Sequence, residues 1–161
     1  MTEDAGECML CRPEIADARF GRARVWEDDL WRLSAVLQGP VPGFAHLEPK
    51  RHIRFVTELD GPEAVTLGPV LATATRALTG AARGDLAYVY VFGDRVAHLH
   101  LNLAPHREGD ALRGGPGLLE PGAPEVDAAT HEEVAHSVRD ALAGFRSDGA
   151  PRLTPPGGPT G

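Results

Sequence analysis

The clearest pattern along the chain is a strict two-residue alternation of polar and apolar side chains over residues 96–106. The segment reads V-A-H-L-H-L-N-L-A-P-H. Because successive side chains of a β-strand point to opposite faces, the pattern predicts a strand with His98, His100 and Asn102 on one face. Ala97 and three leucines on the other face would anchor it in a core. The row of polar groups is either a prearranged site or the exposed face of an amphipathic strand.

Apolar patterning elsewhere predicts further strands and two helices. Strands are expected at residues 22–27, 31–36, 44–48 and 85–92. A helix is expected from Gly61-Pro62 to about residue 83, and a second helical segment over residues 124–145. Gly93-Asp94 is expected to form a tight hairpin turn, and residues 107–124 a Gly/Pro-rich loop. The order predicts an α+β fold, an antiparallel sheet with a long helix packed on it.

The composition of the chain limits its domain organisation and the kinds of partner it can bind. The 161 residues fit one domain over residues 1–146, followed by a Pro/Gly-rich tail over 147–161 that we expect to be disordered. No run of about 18 apolar residues is present to span a membrane. A net charge of −7 argues against binding to a nucleic-acid polymer. Residues 1–6 are acidic and lack the apolar run of a secretory signal, so we expect a cytoplasmic protein.

The only two cysteines, Cys8 and Cys11, form a C-x-x-C pair. In a cytoplasmic protein such a pair is more often catalytic or metal-binding than a structural disulfide. A redox motif needs a strand directly before the pair, and the pair lies too close to the N-terminus for one. The spacing therefore favours half of a tetrahedral zinc site, with two further ligands to be found.

Two segments together resemble a known family. Residues 42–53 read P-G-F-A-H-L-E-P-K-R-H-I, and residues 98–105 read H-L-H-L-N-L-A-P. With C-x-x-C, these motifs resemble the histidine triad (HIT) superfamily, which includes nucleoside phosphoramidases, dinucleoside polyphosphate hydrolases and, more distantly, galactose-1-phosphate uridylyltransferase. The resemblance implies the HIT-like fold and a nucleotide-like small molecule as substrate. It also implies a structural Zn²⁺, whose ligands here would be Cys8, Cys11, His52 and His98.

The resemblance also implies a hydrolase or nucleotidyltransferase. Its nucleophile would be His100, which attacks the phosphorus of a nucleotide ester, anhydride or phosphoramidate and forms a covalent intermediate. The third triad position is Asn102, whose amide can donate to a phosphate oxygen but cannot deliver a proton. The alternative is a catalytically weak or inactive, zinc-stapled module that binds a nucleotide or a protein.

Further residues are candidates for substrate binding. Arg95 lies where the family's leaving-group residues are expected and could clamp a phosphate, or it is a solvated hairpin arginine. His106 follows Pro105 where relatives often carry a basic residue, so it could contact phosphate, or it is a plain loop histidine. His46 shares its strand face with Phe44 and is expected to be structural.

The resemblance implies a homodimer. It would be built around residues 67–78 of the long helix and the strand 85–92, because this helix and the short sheet leave more apolar surface than a small domain hides. The alternative is a monomer in which the C-terminal helix folds back over that surface.

Overall fold

An antiparallel sheet of five strands organises the fold. The computed structural model describes residues 6–110 and 123–149. The strands are β1 (Arg22–Glu27), β2 (Trp31–Val36), β3 (Ala45–Pro49), β4 (Leu86–Tyr90) and β5 (Leu101–His106). They lie in the order β1-β2-β3-β5-β4, and every neighbouring pair is antiparallel. The predicted α+β class with an antiparallel sheet is confirmed.

Three α-helices pack around the sheet. They are α1 (Pro13–Phe20), α2 (Gly61–Ala82) and α3 (Ala128–Leu142), and short 3-10 turns cover Met9–Cys11 and Val56–Glu58. The helix α2 buries Val70, Ala74 and Leu78, which recur every fourth residue on one side of the helix. These side chains join Leu33 and Leu103 of the sheet in the main core, so α2 is the long helix that the sequence predicts.

The histidine segment departs from its predicted strand. The strand β5 begins at Leu101, and ten residues over 91–100 connect it to β4 in place of a tight turn at Gly93-Asp94. The ladder to β3 ends at the pair Leu47–Leu101, because the neighbouring strand terminates at Pro49 and proline has no N–H to donate. The predicted strand over 96–106 is therefore wrong in its first half.

Both Gly- and Pro-rich segments are described only in part. The predicted tail over 147–161 begins with three described residues, and Ser147 is buried with its backbone N–H donating to Asp28 Oδ2 at 2.8 Å. Ser147 is thus bonded to the residues that precede β2, and the domain boundary at residue 146 stays a prediction. Residues 150–161 of the tail and 111–122 of the loop lie outside the described residues. Within the described ranges, no helix has the length and apolar character needed to cross a membrane.

Candidate functional site

Two cysteines and two histidines converge beside the sheet. Cys8 precedes the 3-10 turn near the N-terminus and Cys11 is its last residue, His52 follows β3, and His98 precedes β5. Their ligand atoms all lie within 4.8 Å of one another. His98 Nδ1 is 3.5 Å from each sulfur, and His52 Nδ1 is 3.3 Å from Cys11 Sγ. The structure brings together all four predicted metal ligands.

The spacing of this Cys2His2 cluster fits a tetrahedral zinc ion. Bond lengths of about 2.3 Å to sulfur and 2.0 Å to nitrogen, at a tetrahedral angle, place a sulfur and a nitrogen about 3.5 Å apart. The three sulfur–nitrogen distances lie between 3.3 and 3.5 Å. Two thiols and two imidazoles are also the donor set that zinc prefers, so both the chemistry and the geometry of the residues fit the ion.

His98 is held in the tautomer that a metal ligand requires. Its Nε2 lies 2.9 Å from the carbonyl oxygen of Pro49, which can only accept, so Nε2 carries the proton and Nδ1 faces the sulfurs with its lone pair. Burial lowers the pKa of His98, which favours the neutral ring. Burial and the neighbouring Cys8 raise the pKa of the Cys11 thiol to about 11. Zinc binding would therefore displace thiol protons.

A small apolar cluster surrounds the cysteines apart from the main core. It contains Cys8, Leu10 and Ala16, with Phe20 packed against it. Arg32 of β2 fastens this segment to the sheet, because its Nη2 donates to the carbonyl oxygen of Leu10 at 2.7 Å. So few buried side chains provide little hydrophobic stabilisation of their own. A metal that joined the segment to His52 and His98 would therefore have a structural role.

His100 lies immediately beyond the cluster, half-buried. Its Nδ1 is 2.7 Å from the carbonyl oxygen of His98, so Nδ1 carries the proton and donates it to this bond. The lone pair is consequently on Nε2, to which no residue in the described ranges forms a hydrogen bond. A neutral imidazole with a free Nε2 lone pair is a competent nucleophile.

A second histidine faces His100 from β3. The ring of His46 lies 6.2 Å from that of His100, at an interplanar angle of 75°. Arg22 of β1 donates from Nη1 to His46 Nδ1 at 2.8 Å. The sequence suggested only a structural role for His46, because its partner Arg22 is two strands away and the pairing of β1, β2 and β3 had to be known to bring them together.

Buried ion pairs hold Arg22 in place. Its Nη1 also donates to Glu48, its Nε donates to Asp17 Oδ1 at 2.8 Å, and Arg32 pairs with the other oxygen of Glu48 at 3.2 Å. The side chains of Arg22 and Glu48 are fully enclosed. Removal of one partner from such a network leaves an uncompensated buried charge and costs about 3–5 kcal/mol. The network therefore fixes the polar side of the sheet next to His100.

Replacement of His46 by phenylalanine should make stability less sensitive to acid. Burial first, then Arg22 and His100, lower the pKa of His46 to about 3. The unfolded chain therefore binds a proton near pH 6.5 that the folded chain excludes. Above about pH 6.5 this difference does not affect the free energy of unfolding. As pH falls below that value, protonation of His46 in the unfolded chain lowers the free energy of unfolding by at most about 1.4 kcal/mol per pH unit, before discounting for partial exposure.

Urea unfolding of both proteins with saturating zinc checks this expectation. Between pH 7 and pH 5 the free energy of unfolding of the wild type should fall by about 1–2 kcal/mol more than that of His46→Phe. The exposed His136 of α3 provides the matched control, since His136→Phe should follow the wild type. Parallel pH curves for His46→Phe and the wild type would show that His46 titrates normally in the folded protein.

Two other predicted site residues, Asn102 and Arg95, lie on either side of His100 along the chain. Asn102 is buried, pairs with His46 across the β3–β5 ladder and donates one amide N–H to the carbonyl oxygen of Tyr90 at 3.3 Å. Its second N–H remains for another partner. Arg95 is exposed on the connection between β4 and β5, and none of the described acidic residues forms an ion pair with it.

His106 lies at the far end of β5. The strand from Leu101 to His106 spans about 16 Å, so the two predicted site residues His100 and His106 are at opposite ends of it. His106 instead lines a cavity of about 540 Å³ with Arg83, Asp110 and Thr130. A role for His106 in substrate binding stays a prediction and requires a ligand that extends along the sheet.

Solved structures share this architecture. A Hit-like protein involved in cell-cycle regulation from Bartonella henselae, with an unknown ligand, is 23% identical over 88% of this chain and 100% of its own, with a TM-score of 0.66. A Zn-bound histidine triad family protein from Mycobacterium smegmatis is 22% identical over 87% and 96%, with a TM-score of 0.64. A hypothetical histidine triad nucleotide-binding protein from Sulfolobus tokodaii is 19% identical over 84% and 92%, with a TM-score of 0.64.

No protein-family model and no curated protein sequence matches the chain. The likeness to galactose-1-phosphate uridylyltransferase stays a prediction. The sheet order, the convergence of the Cys2His2 cluster on the H-x-H-x-N segment and the structural neighbours agree with one another. The chain therefore has the fold of the histidine triad proteins.

Proposed function

We propose that this protein is a nucleotidyl hydrolase or transferase that acts through a covalent intermediate on His100. The observation that carries the proposal is the orientation of the His100 ring, whose Nδ1–H is committed to the carbonyl oxygen of His98 at 2.7 Å. Its Nε2 lone pair is thereby directed away from the backbone. The substrate would be a nucleotide ester, anhydride or phosphoramidate, in keeping with the nucleotide-binding neighbour from Sulfolobus tokodaii.

The reaction would proceed in two displacements. The Nε2 lone pair of His100 attacks the nucleotide's phosphorus, a P–N bond forms, and the bond to the leaving group breaks with its electron pair on that group, which takes a proton from solvent. The imidazole gains positive charge in this step, which the Nδ1–H bond to the His98 carbonyl oxygen stabilises. Water or another acceptor then attacks phosphorus, loses its proton to solvent and releases His100.

We further propose that Cys8, Cys11, His52 and His98 hold a structural Zn²⁺. When bound, the ion would cross-link the N-terminal segment to the sheet. His98 would have two roles in this arrangement, because its ring binds the metal and its carbonyl oxygen orients His100. The Zn-bound neighbour from Mycobacterium smegmatis supports the assignment.

Asn102 and Arg95 would assist at the phosphate. The free amide N–H of Asn102 can donate to a phosphate oxygen, as its place in the triad implies. Arg95 is exposed and without a described ion pair, so its guanidinium can turn toward an anionic ligand. Both would bind the substrate and neither would supply the leaving group with a proton at neutral pH.

Product release tests the proposed activity. The zinc-loaded protein is incubated with an adenosine phosphoramidate, a dinucleoside polyphosphate and a sugar nucleotide, and nucleoside monophosphate is quantified by chromatography. The proposal requires its release from at least one of the three classes. Binding of adenosine monophosphate without turnover of any of them would instead support the non-catalytic, zinc-stapled module.

The protein should form a homodimer in solution. Exposed apolar side chains lie on α2 and on the edge strand β4 with the residues that follow it, namely Val65, Leu86, Val89, Val91 and Phe92. Val65 is 77% and Phe92 54% exposed. The helix α3 packs against α2 and β1, and among the described strands β4 pairs only with β5, so its outer edge is where a second copy would pair.

Light scattering measures the assembly directly. At micromolar concentration the mass should be twice the 17.1 kDa of one chain. Val89→Lys should shift the equilibrium toward the monomer, whereas Ile15→Lys on α1, also an exposed apolar position but beside β1 at the other end of the sheet, is the matched control and should leave the mass unchanged. A wild-type mass near that of one chain would rule the dimer out.

A further inference from the structure

We infer that His46, oriented by Arg22, donates a hydrogen bond from Nε2–H to a non-bridging oxygen of the phosphoryl group that reacts with His100. The inference rests on the proposed function and adds a substrate-binding residue outside the H-x-H-x-N segment. His46 would thus be a catalytic residue, because it touches the reacting phosphoryl group. Arg22 would be a positioning residue that acts through it.

The hydrogen bond from Arg22 fixes where His46 carries its proton. A guanidinium has only donors, so His46 Nδ1 must accept the 2.8 Å bond from Nη1 and cannot be protonated. The neutral ring therefore carries its proton on Nε2. No residue in the described ranges bonds this Nε2–H, which leaves it available as a donor. Burial and Arg22 lower the pKa of His46, so it remains a neutral donor at ordinary pH.

The two histidines carry their ring protons on opposite nitrogens. His100 has its proton on Nδ1 and a lone pair on Nε2, and His46 has the reverse arrangement. Their ring centroids are 6.2 Å apart, and no hydrogen bond joins the two rings directly. Attack on phosphorus begins at about 3 Å from the nucleophile, and a hydrogen bond from Nε2–H spans about another 3 Å. The separation of the two ring centroids is therefore of the size that one phosphoryl group between the rings would span.

The His46 ring is restrained on several sides. Phe44 contacts it edge to face at 5.4 Å between centroids, and Phe20 at 6.5 Å. Arg22 is in turn held by Asp17 and Glu48. A donor fixed in this way costs little reorganisation when charge develops on the phosphoryl oxygens, which is the condition under which hydrogen bonds contribute most to catalysis. A histidine needed only for packing would not require its tautomer to be set by a buried arginine.

Kinetics of three variants test the donor role. His46→Phe removes the donor and keeps a ring, and it should lower kcat by about 10- to 100-fold with a small change in KM. His46→Gln should recover most of this loss, because its amide oxygen can accept from Arg22 while its amide N–H donates outward. His136→Gln on the exposed face of α3 is the matched control and should match the wild type.

The outcome of this comparison is decisive where the wild type turns over substrate. A kcat for His46→Phe within twofold of the wild type, in a protein with an unchanged melting temperature, would overturn the inference. An equal loss in His46→Phe and His46→Gln would overturn it as well, since a purely structural role is not rescued by a second donor. Loss in His46→Phe with rescue by His46→Gln supports it.

Nitrogen-15 NMR of the full-length, zinc-loaded protein provides a readout that does not need turnover. The His46 ring should show a protonated Nε2 and an unprotonated Nδ1, and titration with adenosine monophosphate should shift the Nε2 signal. In Arg22→Lys the ring should show a mixture of both tautomers, whereas Arg76→Lys on α2 should leave it unchanged.

The two readouts separate the inference from the proposed function. An Nε2 signal of His46 that does not respond to millimolar adenosine monophosphate, or a proton found on Nδ1, would overturn the inference whatever the activity. A wild type that binds adenosine monophosphate through His46 but turns over no substrate would refute the proposed enzyme and leave the phosphate contact supported.

Discussion

Replacement of His100 by alanine should abolish turnover and leave the fold and the metal content intact. The side chain is half-buried, its only described hydrogen bond is to the carbonyl oxygen of His98, and it takes no part in the Cys2His2 cluster. Loss of a nucleophile typically lowers kcat by about 10⁴-fold or more. The melting temperature and the zinc content should match those of the wild type.

The measurement combines single-turnover kinetics with elemental analysis of the same preparation. His136→Ala on α3 is the control, because it removes an equally polar ring from an exposed surface position. Residual turnover within tenfold of the wild type would show that His100 is not the nucleophile. A large loss of zinc in His100→Ala would show that the separation of the catalytic and metal-binding histidines is wrong.

Replacement of His98 by alanine should cost both the metal and stability. Its ring contributes one of four ligand atoms, and its Nε2–H bond to Pro49 joins the cluster to the end of β3. Binding of an ion at about 1,000 times its dissociation constant stabilises a protein by about 4 kcal/mol, so loss of zinc should lower the melting temperature by about 10 °C. A chelator should have the same effect on the wild type and little effect on His98→Ala.

Elemental analysis of protein purified without a metal-binding tag measures the zinc directly. About one zinc per chain is expected in the wild type and in His100→Ala, and much less in His98→Ala. If the wild type contains no stoichiometric zinc, or if the two histidine variants behave alike, the structural role of the metal is refuted.

Local patterns in the sequence predict much of this fold. The alternation of leucines with polar residues identifies β5, and the spacing of Val70, Ala74 and Leu78 identifies α2. The buried residues of α2 repeat with the period of the helix, and leucines alternate with polar residues at the start of β5 although the whole strand is buried. The helix α1 was not predicted, because it buries only Ala16 and therefore carries no such repeat.

The start of β5 and the role of His46 depend on contacts between distant segments. The strand cannot extend back to residue 96 because its neighbour β3 ends at Pro49, and the histidine ring at position 98 turns toward the cysteines. The bond between Arg22 and His46 requires that β1 and β3 flank β2 in a particular register. Single-sequence periodicity contains no information on either contact. The resemblance implied the Cys2His2 set because a family resemblance contains information on which residues, distant in the sequence, lie together in the fold.

A covalent nucleotidyl group on His100 is the most direct test of the account. The zinc-loaded wild type is mixed with an adenosine phosphoramidate, quenched in base to preserve the P–N bond, digested and analysed by mass spectrometry. We expect a gain of one nucleotidyl group on the peptide that contains His100, absent in His100→Ala and present in His136→Ala. Turnover by the wild type without this adduct, or with the adduct on another residue, would contradict the account.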